Sequence, residues 1–330
     1  MLNILRVALT FLRIHSAIHY LVVLILVEIF AKYYGSLIND FILLYLKIEV
    51  TMDLALLVIG DLGSAGIISL KSILALKPNK IYILANESGR LWLKTNFDLK
   101  ADVFYIIDAK LIASGKHRPV LGLRDYSQYR TQNFDILTAL KWDLLHYIFE
   151  NFPSVNEVLF SDLDIFWTNY PEKESLEVES LHLKSQTVPE YKRKNWFCTG
   201  VMYWFRQDNT LSILKELSRL QTEKFLGGES MNDEVLFNSF YNSLGIRVDS
   251  LQQDEYLNGV DIYKLLISNR KRFLKIKCYH ANYVTGLDNK FFLLNLVKSK
   301  LLCSSYTIVL VLKYVFFATK LKISRSLNFI

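Results

Sequence analysis

Cysteine is scarce in this chain: three in 330 residues, at Cys198, Cys278 and Cys303. Three is too few for a disulfide framework, and the spacing matches no zinc-binding pattern. For Cys198 and Cys278 two readings stay open, a single bridge in an oxidising lumen or two inert buried thiols. Internal repeats, low-complexity tracts and Gly/Ser linkers are absent, which excludes a solenoid or a string of tethered modules and leaves one main domain. Evenly spread positive charge is missing as well. The formal net charge is +7, but residues 264–330 hold 13 basic side chains against one acid, Asp288, so the chain before them is net acidic. A nucleic-acid binder does not divide its charge in this way, and no nucleic-acid partner is expected.

Apolar residues are plentiful instead. The composition is 52% hydrophobic and 14% aromatic, and the excess gathers at the two ends. Residues 14–35 are largely apolar around Leu21–Val27, with Arg6 and Arg13 before them and no acid. That pattern predicts a signal-anchor helix with a short cytosolic tail, 1–13, and a stem, 36–51. His19 and Glu28 interrupt the span; a cleaved signal peptide and a buried core helix are the competing readings. The tail 293–330 mixes basic residues with apolar runs such as Ile308–Leu312, and Lys313 argues against a second span. It reads either as a surface for anionic membrane or as the last helix of the domain with one charged face. One N-glycosylation acceptor pattern, Asn86-Glu87-Ser88, fits a secretory location.

Between the ends, strands and helices alternate. Leu54–Ile59 is a continuous apolar run ending at Gly60-Asp61, as a buried parallel strand requires. Ser64 is placed to cap a helix that Pro78 stops, and 80–85 and 103–107 read as further strands. This is a β-α-β unit, which implies a right-handed crossover and an α/β fold with a mainly parallel sheet flanked by helices. Phe134–Phe149 shows a helical apolar stripe, and Glu157–Phe160 is the next strand. Residues 109–130 and the charged stretch 172–194 read as irregular. Phe197–Phe205 is strand-like but broken at Thr199-Gly200. Helices are expected at 210–220 and 232–243, and late strands at 245–248 and 276–280.

The most informative stretch is Ser161-Asp162-Leu163-Asp164-Ile165-Phe166-Trp167, where that fourth strand ends. Two carboxylates two residues apart at a strand end are costly to hold together without positive charge between them. A divalent cation held against phosphate oxygens answers this, and the carboxyl end of such a sheet is where ligands bind. The plainer reading is a solvated turn after a strand.

In order, these residues resemble the nucleotide-diphospho-sugar transferases of the GT-A fold, in particular the family of plant rhamnogalacturonan-II xylosyltransferases and extensin arabinosyltransferases. The resemblance rests on a helix bearing Lys141, then Asp162-Leu163-Asp164-Ile165-Phe166-Trp167 with Pro171 after it, Thr199-Gly200-Val201, Asp233-Glu234 with Asn238, and Tyr279-His280 followed by Gly286 and Lys290. Glu234 departs from the usual Gln. The resemblance spans residues 52–292, which then form one glycosyltransferase domain. It implies a metal, Mn²⁺ or Mg²⁺, on Asp162, Asp164 and His280, the imidazole favouring Mn²⁺. It further implies donor contacts from Asp61, Lys141, Asp162, Thr199, Gly200, Gly286 and Lys290, and catalytic roles for Asp233 and Glu234.

The donor implied is a nucleotide sugar of the UDP-sugar class, the acceptor a glycan or glycoprotein, and the outcome retention at the anomeric carbon. Together with the anchor, this places a type II membrane protein in the Golgi or ER with its domain in the lumen. Each residue has a bland counterpart: Asp61 a turn residue, Lys141 a helix-surface lysine, Asp233 and Glu234 a capping pair, His280 an ordinary buried histidine. Trp167, Trp196 and Trp204 fit either a sugar platform or core packing. Two other functions compete: a metal-dependent phosphatase, against which Phe166 stands where Thr or Val is wanted, and a non-catalytic membrane-anchored glycan-binding protein or scaffold.

Overall fold

The computed structural model describes residues 52–100, 102–109, 132–169, 181–187, 196–229, 231–267, 275–282 and 286–302. The expected anchor, the stem, Cys303 and the rest of the tail lie outside them. Among the described residues no helix is long and apolar enough to cross a membrane.

Strand β1 (Asp53–Val58) opens the domain and is almost wholly buried. It leads into helix α1 (Gly63–Ala75), which starts one residue before Ser64. The expected Ser64 cap is replaced by an Asp61 turn: Asp61 Oδ1 accepts from the Gly63 N–H at 2.7 Å. The helix stops where Lys77 takes a positive φ of 56° ahead of Pro78. Strand β2 (Lys80–Ala85) then pairs in parallel with β1, Asp53 opposite Lys80 through Val58 opposite Ala85.

Helix α2 (Glu87–Asn96) was not legible in the sequence. Its cap is Asn86, the residue of the acceptor pattern. Asn86 is buried, and its Oδ1 accepts from the Gly89 N–H at 2.8 Å, the Gly60 N–H at 2.9 Å and the Ser88 hydroxyl at 3.2 Å. The residue that matched a glycan acceptor is therefore a structural cap, buried in the folded protein.

Strand β3 (Phe104–Asp108) pairs in parallel with β2. The long helix α3 (Gln132–Asn151) follows, then β4 (Glu157–Ser161) parallel to β1. A short strand β5 (Ile165–Trp167) belongs to a second sheet. Strand β6 (Leu183–Thr187) lies inside the stretch expected to be irregular and is buried despite its polar residues. Strand β7 (Phe197–Phe205) runs unbroken through Thr199-Gly200. Helices α4 (Thr210–Leu226) and α5 (Asp233–Phe240), strands β8 (Val248–Ser250) and β9 (Tyr256–Leu257), helix α6 (Ile262–Ile267), strand β10 (Cys278–His280) and helix α7 (Leu287–Leu302) complete the order.

Among the described residues the large sheet has seven strands in the order β3-β2-β1-β4-β7-β6-β8, and the small one three, β5-β10-β9. Only β7 runs against its neighbours in the large sheet. Alternate residues of β4 face opposite layers: Val158 and Phe160 pack with Trp142, Leu145, Leu214 and Phe237 of the α3–α4–α5 side, Leu159 with Leu70, Ile73 and Trp92 of the α1–α2 side. Trp142 stacks on Phe237 with ring centroids 5.9 Å apart. A third cluster joins the small sheet to α1, α6 and α7, and Leu293, Leu294, Leu296 and Val297 are buried in it. Residues 293–302 of the basic tail thus belong to α7.

Asn86→Ala removes one oxygen that satisfies two buried backbone N–H groups and caps α2, so it should destabilise the domain by about 2–3 kcal/mol. Urea unfolding measures this, and a loss under about 0.5 kcal/mol contradicts the capping role.

Candidate metal and donor site

The site forms where the two sheets meet. Asp162 immediately follows β4, and its N–H donates to the Gly200 carbonyl of β7 at 2.8 Å. Asp164 immediately precedes β5, and its carbonyl accepts from the Ala281 N–H just after β10 at 2.9 Å. His280 ends β10, three residues of antiparallel pairing with β5 bringing it opposite Ile165. Asp162, Asp164 and His280 each offer a ligand atom, all within 4.8 Å of one another.

Strand β7 contributes through a defect in its pairing. Met202 lies opposite Ser185 of β6, but Cys198 lies opposite the next residue, Gln186. Thr199, Gly200 and Val201 are therefore extra residues on β7, a bulge that bends the strand beside the site. This is the physical reason the sequence looked broken at Thr199-Gly200 while the strand continues. Gly200 is required there. A Cβ on it would lie 2.3 Å from His280 Cε1 and 2.8 Å from Asp162 Oδ2.

Lys141, in the middle of α3, is fully buried and not on the helix surface. Its Nζ lies 2.5 Å from Asp233 Oδ2, 3.0 Å from the Thr199 carbonyl and 3.8 Å from Asp162 Oδ1, and sits over the Phe160 ring. Burial works to lower its pKa, but Asp162 and Asp233 outweigh that and hold it above the usual lysine value. Asp233, buried at the start of α5, also accepts from the Thr199 hydroxyl. Asp162 is raised by burial, opposed by the attraction of Lys141 and assisted by the repulsion of Asp164. Asp164 is pushed up by burial, yet Lys290, with Nζ 2.6 Å from Oδ2, and His280 together hold it well below the ordinary carboxylate range.

The other candidates lie around this core. Glu234, next to Asp233, accepts from Trp196 Nε1 at 2.9 Å, and burial raises its pKa. Gly286, with φ of +87°, turns the chain into α7, and its carbonyl accepts from the Lys290 N–H at 3.2 Å. Asp61 is exposed after β1, on the same edge of the sheet as Asp162 because β1 and β4 are parallel, and its described contact is the turn to Gly63. Trp167 and Trp204 are core residues; Trp167 Nε1 donates to Ser161 Oγ at 3.0 Å. Cys198 and Cys278 are free buried thiols, and burial raises both. No signal in the sequence points to Gln186, whose Oε1 lies 3.3 Å from His280 Nδ1, because a polar buried strand mimics a loop.

Lys141→Met leaves the buried Asp233, and the partly exposed Asp162 near it, without their cation, and should cost about 3 kcal/mol in urea unfolding. Adding Asp233→Asn should recover a large part of that loss. Additive losses in the pair contradict the coupling.

Comparison with known proteins adds the following. No curated protein sequence gives a significant match. A glycosyltransferase involved in glycosylation of the major capsid of PBCV-1 aligns with 11% identity and a TM-score of 0.46, over 75% of this chain and 100% of its own. Mouse xyloside xylosyltransferase 1 aligns with 12% identity and a TM-score of 0.47, over 71% and 98%. Glycosyltransferase GlyE of Streptococcus pneumoniae TIGR4 aligns with 16% identity and a TM-score of 0.45, over 79% and 64%. None of these likenesses bears on the chemistry of the site. Residues 119–294, more than half of the chain and every candidate side chain except Asp61, match the nucleotide-diphospho-sugar transferase family, and the chain belongs to that family: it is a glycosyltransferase.

Proposed function

We propose that the chain moves a sugar from a nucleotide-diphosphate donor of the UDP-sugar class to a glycan or glycoprotein acceptor, with retention, using a divalent cation held by Asp162, Asp164 and His280. The observation that carries this is the ligand set itself. Asp164 Oδ1 is buried with His280 Nε2 3.1 Å away, and Asp162 offers a third ligand atom, all three within 4.8 Å of one another. Two carboxylates and an imidazole this close make a ligand set for a bound cation. The hard carboxylates and one borderline imidazole suit Mn²⁺ or Mg²⁺ and favour Mn²⁺. When bound, such an ion supplies Lewis-acid stabilisation of the diphosphate as the glycosidic bond breaks.

The chain's own residues supply the rest. Lys290, beside Asp164, adds positive charge where the diphosphate's charge grows. Gly200, lacking a Cβ, keeps open the space between His280 and Asp162 and lets the donor approach the backbone. Asp233 is neutralised by Lys141 and bonded to Thr199, so it positions the site and is poorly placed to take a proton from an acceptor. That favours the leaving phosphate as the proton's destination, hence retention. Glu234 is the carboxylate left to meet the sugar, its orientation set by Trp196. Asp61, on the same sheet edge, is assigned to the nucleotide. The GT-A arrangement and a type II location in the Golgi or ER lumen, anchored through residues 14–35, belong to the same proposal.

The test is UDP release by the full chain over a panel of UDP-sugars, with Mn²⁺ or with EDTA. One donor should turn over only with metal, and Asp164→Ala should reduce that turnover by about 10²-fold or more. Undiminished turnover in EDTA rules out the metal role. Gly200→Ala should displace His280 and Asp162, which its methyl group meets, and weaken Mn²⁺ binding by about 10-fold or more in calorimetric titration.

A further inference from the structure

Trp167 is a core residue, yet both of its N–H groups end on buried serine hydroxyls. The backbone N–H donates to Ser72 Oγ and the indole Nε1–H to Ser161 Oγ, each at 3.0 Å. Ser72 lies on α1, and one turn before it the Ser69 hydroxyl donates to the Ile165 carbonyl at 2.6 Å. Strand β10 pairs with one edge of β5, so these two hydroxyls stand at the other edge, where a further strand would otherwise bond. The indole bond has a direction that chemistry fixes. An indole N–H donates only, so the Ser161 oxygen accepts it. The single hydrogen of that hydroxyl goes to the Asp162 carbonyl, 3.1 Å away. Asp162 also donates its N–H to the Gly200 carbonyl, so both of its backbone groups are held. The same indole bond closes residues 161–167 into a loop with both acids inside it.

We propose that Trp167 and Ser161 are positioning residues. The chain from the indole N–H through the Ser161 hydroxyl to the Asp162 carbonyl clamps the turn that carries Asp162 and Asp164, and holds the two acids at ligand spacing before any cation arrives. The proposal rests on the metal reading of the site. Two carboxylates on an open turn repel and drift apart, so a cation would have to gather them as it binds. With the loop closed, that ordering is completed on folding and the binding step keeps the energy. Trp204 supplies the contrast. It is also buried, but among the described residues its Nε1 has no hydrogen-bond partner, so its ring contributes packing alone.

Hydrogen exchange of the metal-free full chain reads the clamp, and calorimetric titration with Mn²⁺ reads the ligand set. Trp167→Phe keeps an aromatic ring and loses the indole N–H; Ser161→Ala loses the hydroxyl and, as the smaller change, carries the test if Trp167→Phe does not fold. Each should speed amide exchange at residues 162–164 by about 10-fold or more while β2 exchanges as in the wild type. Each should also weaken Mn²⁺ binding by about 10-fold or more. The double variant should bind no worse than the weaker single one, because both changes remove the same bond. Trp204→Phe should leave the exchange at 162–164 and the Mn²⁺ affinity unchanged. Folded clamp variants with wild-type exchange at 162–164, or with wild-type Mn²⁺ affinity, overturn the proposal. So do additive losses in the double variant, or a Trp204→Phe protein that loses as much affinity as Trp167→Phe. If exchange responds as expected but the wild type binds no Mn²⁺, the clamp stands and the metal reading fails.

Discussion

The ammonium of Lys141 is the interaction on which the site depends. A cation 1% exposed is unfavourable in an apolar interior unless carboxylates surround it, and its partners come from separate parts of the fold. Asp162 ends β4, Asp233 begins α5, and the Thr199 carbonyl belongs to β7. One charge in α3 therefore ties three other elements to a common point. Its effect extends to the next shell as well. Three carboxylates, Asp162, Asp164 and Asp233, face only two ammonium groups, those of Lys141 and Lys290. The carboxylates of the cluster outnumber its ammonium groups, an excess of negative charge that a further cation would offset.

The sheet supplies the geometry through its single reversal. In a wholly parallel sheet a crossover helix would separate β4 from its next neighbour, whereas the antiparallel β7 brings a strand with backbone groups available at the carboxyl end of β4. Its three-residue bulge turns the Gly200 carbonyl to the Asp162 N–H and the Thr199 carbonyl to Lys141. Asn238 then locks α5 to the start of β7, with the Phe197 N–H donating to its Oδ1 at 2.8 Å and its Nδ2 donating to the Phe197 carbonyl at 2.7 Å. The two acids at the head of α5 inherit their placement from that pair of bonds.

Much of this was legible because apolar periodicity records burial. Strands such as 80–85 and 157–161, whose neighbours are hydrophobic on both faces, announce themselves, as does α3 through its stripe. The Asp-x-Asp pair and the order of motifs behind it were legible for a different reason: carboxylates at a strand end need a partner. What escaped was whatever is buried yet polar. Strand β6, Leu-Lys-Ser-Gln-Thr, lies against β7 and β8 and satisfies its polar groups there, so its composition imitates a loop. Asn86 and Ser88 looked like a modification signal because an N-cap uses the same residue types for a different bond. Lys141 read as a donor contact, with a helix-surface lysine as the alternative, and its burial in an ion pair was not legible because the two carboxylates that neutralise it are about twenty and ninety residues away in the chain.

Asp162 takes its backbone hydrogen bond from the large sheet and Asp164 from the small one, with Leu163 alone between them. The pair is thus a seam where two separately paired sheets are joined through one intervening residue. Any ligand that grips both acids acts as a staple across that seam. By linkage, a ligand that binds only the folded seam stabilises it by about 2.7 kcal/mol at a hundred times its Kd. Holding such a ligand and holding the two sheets in register are, at this step, one event.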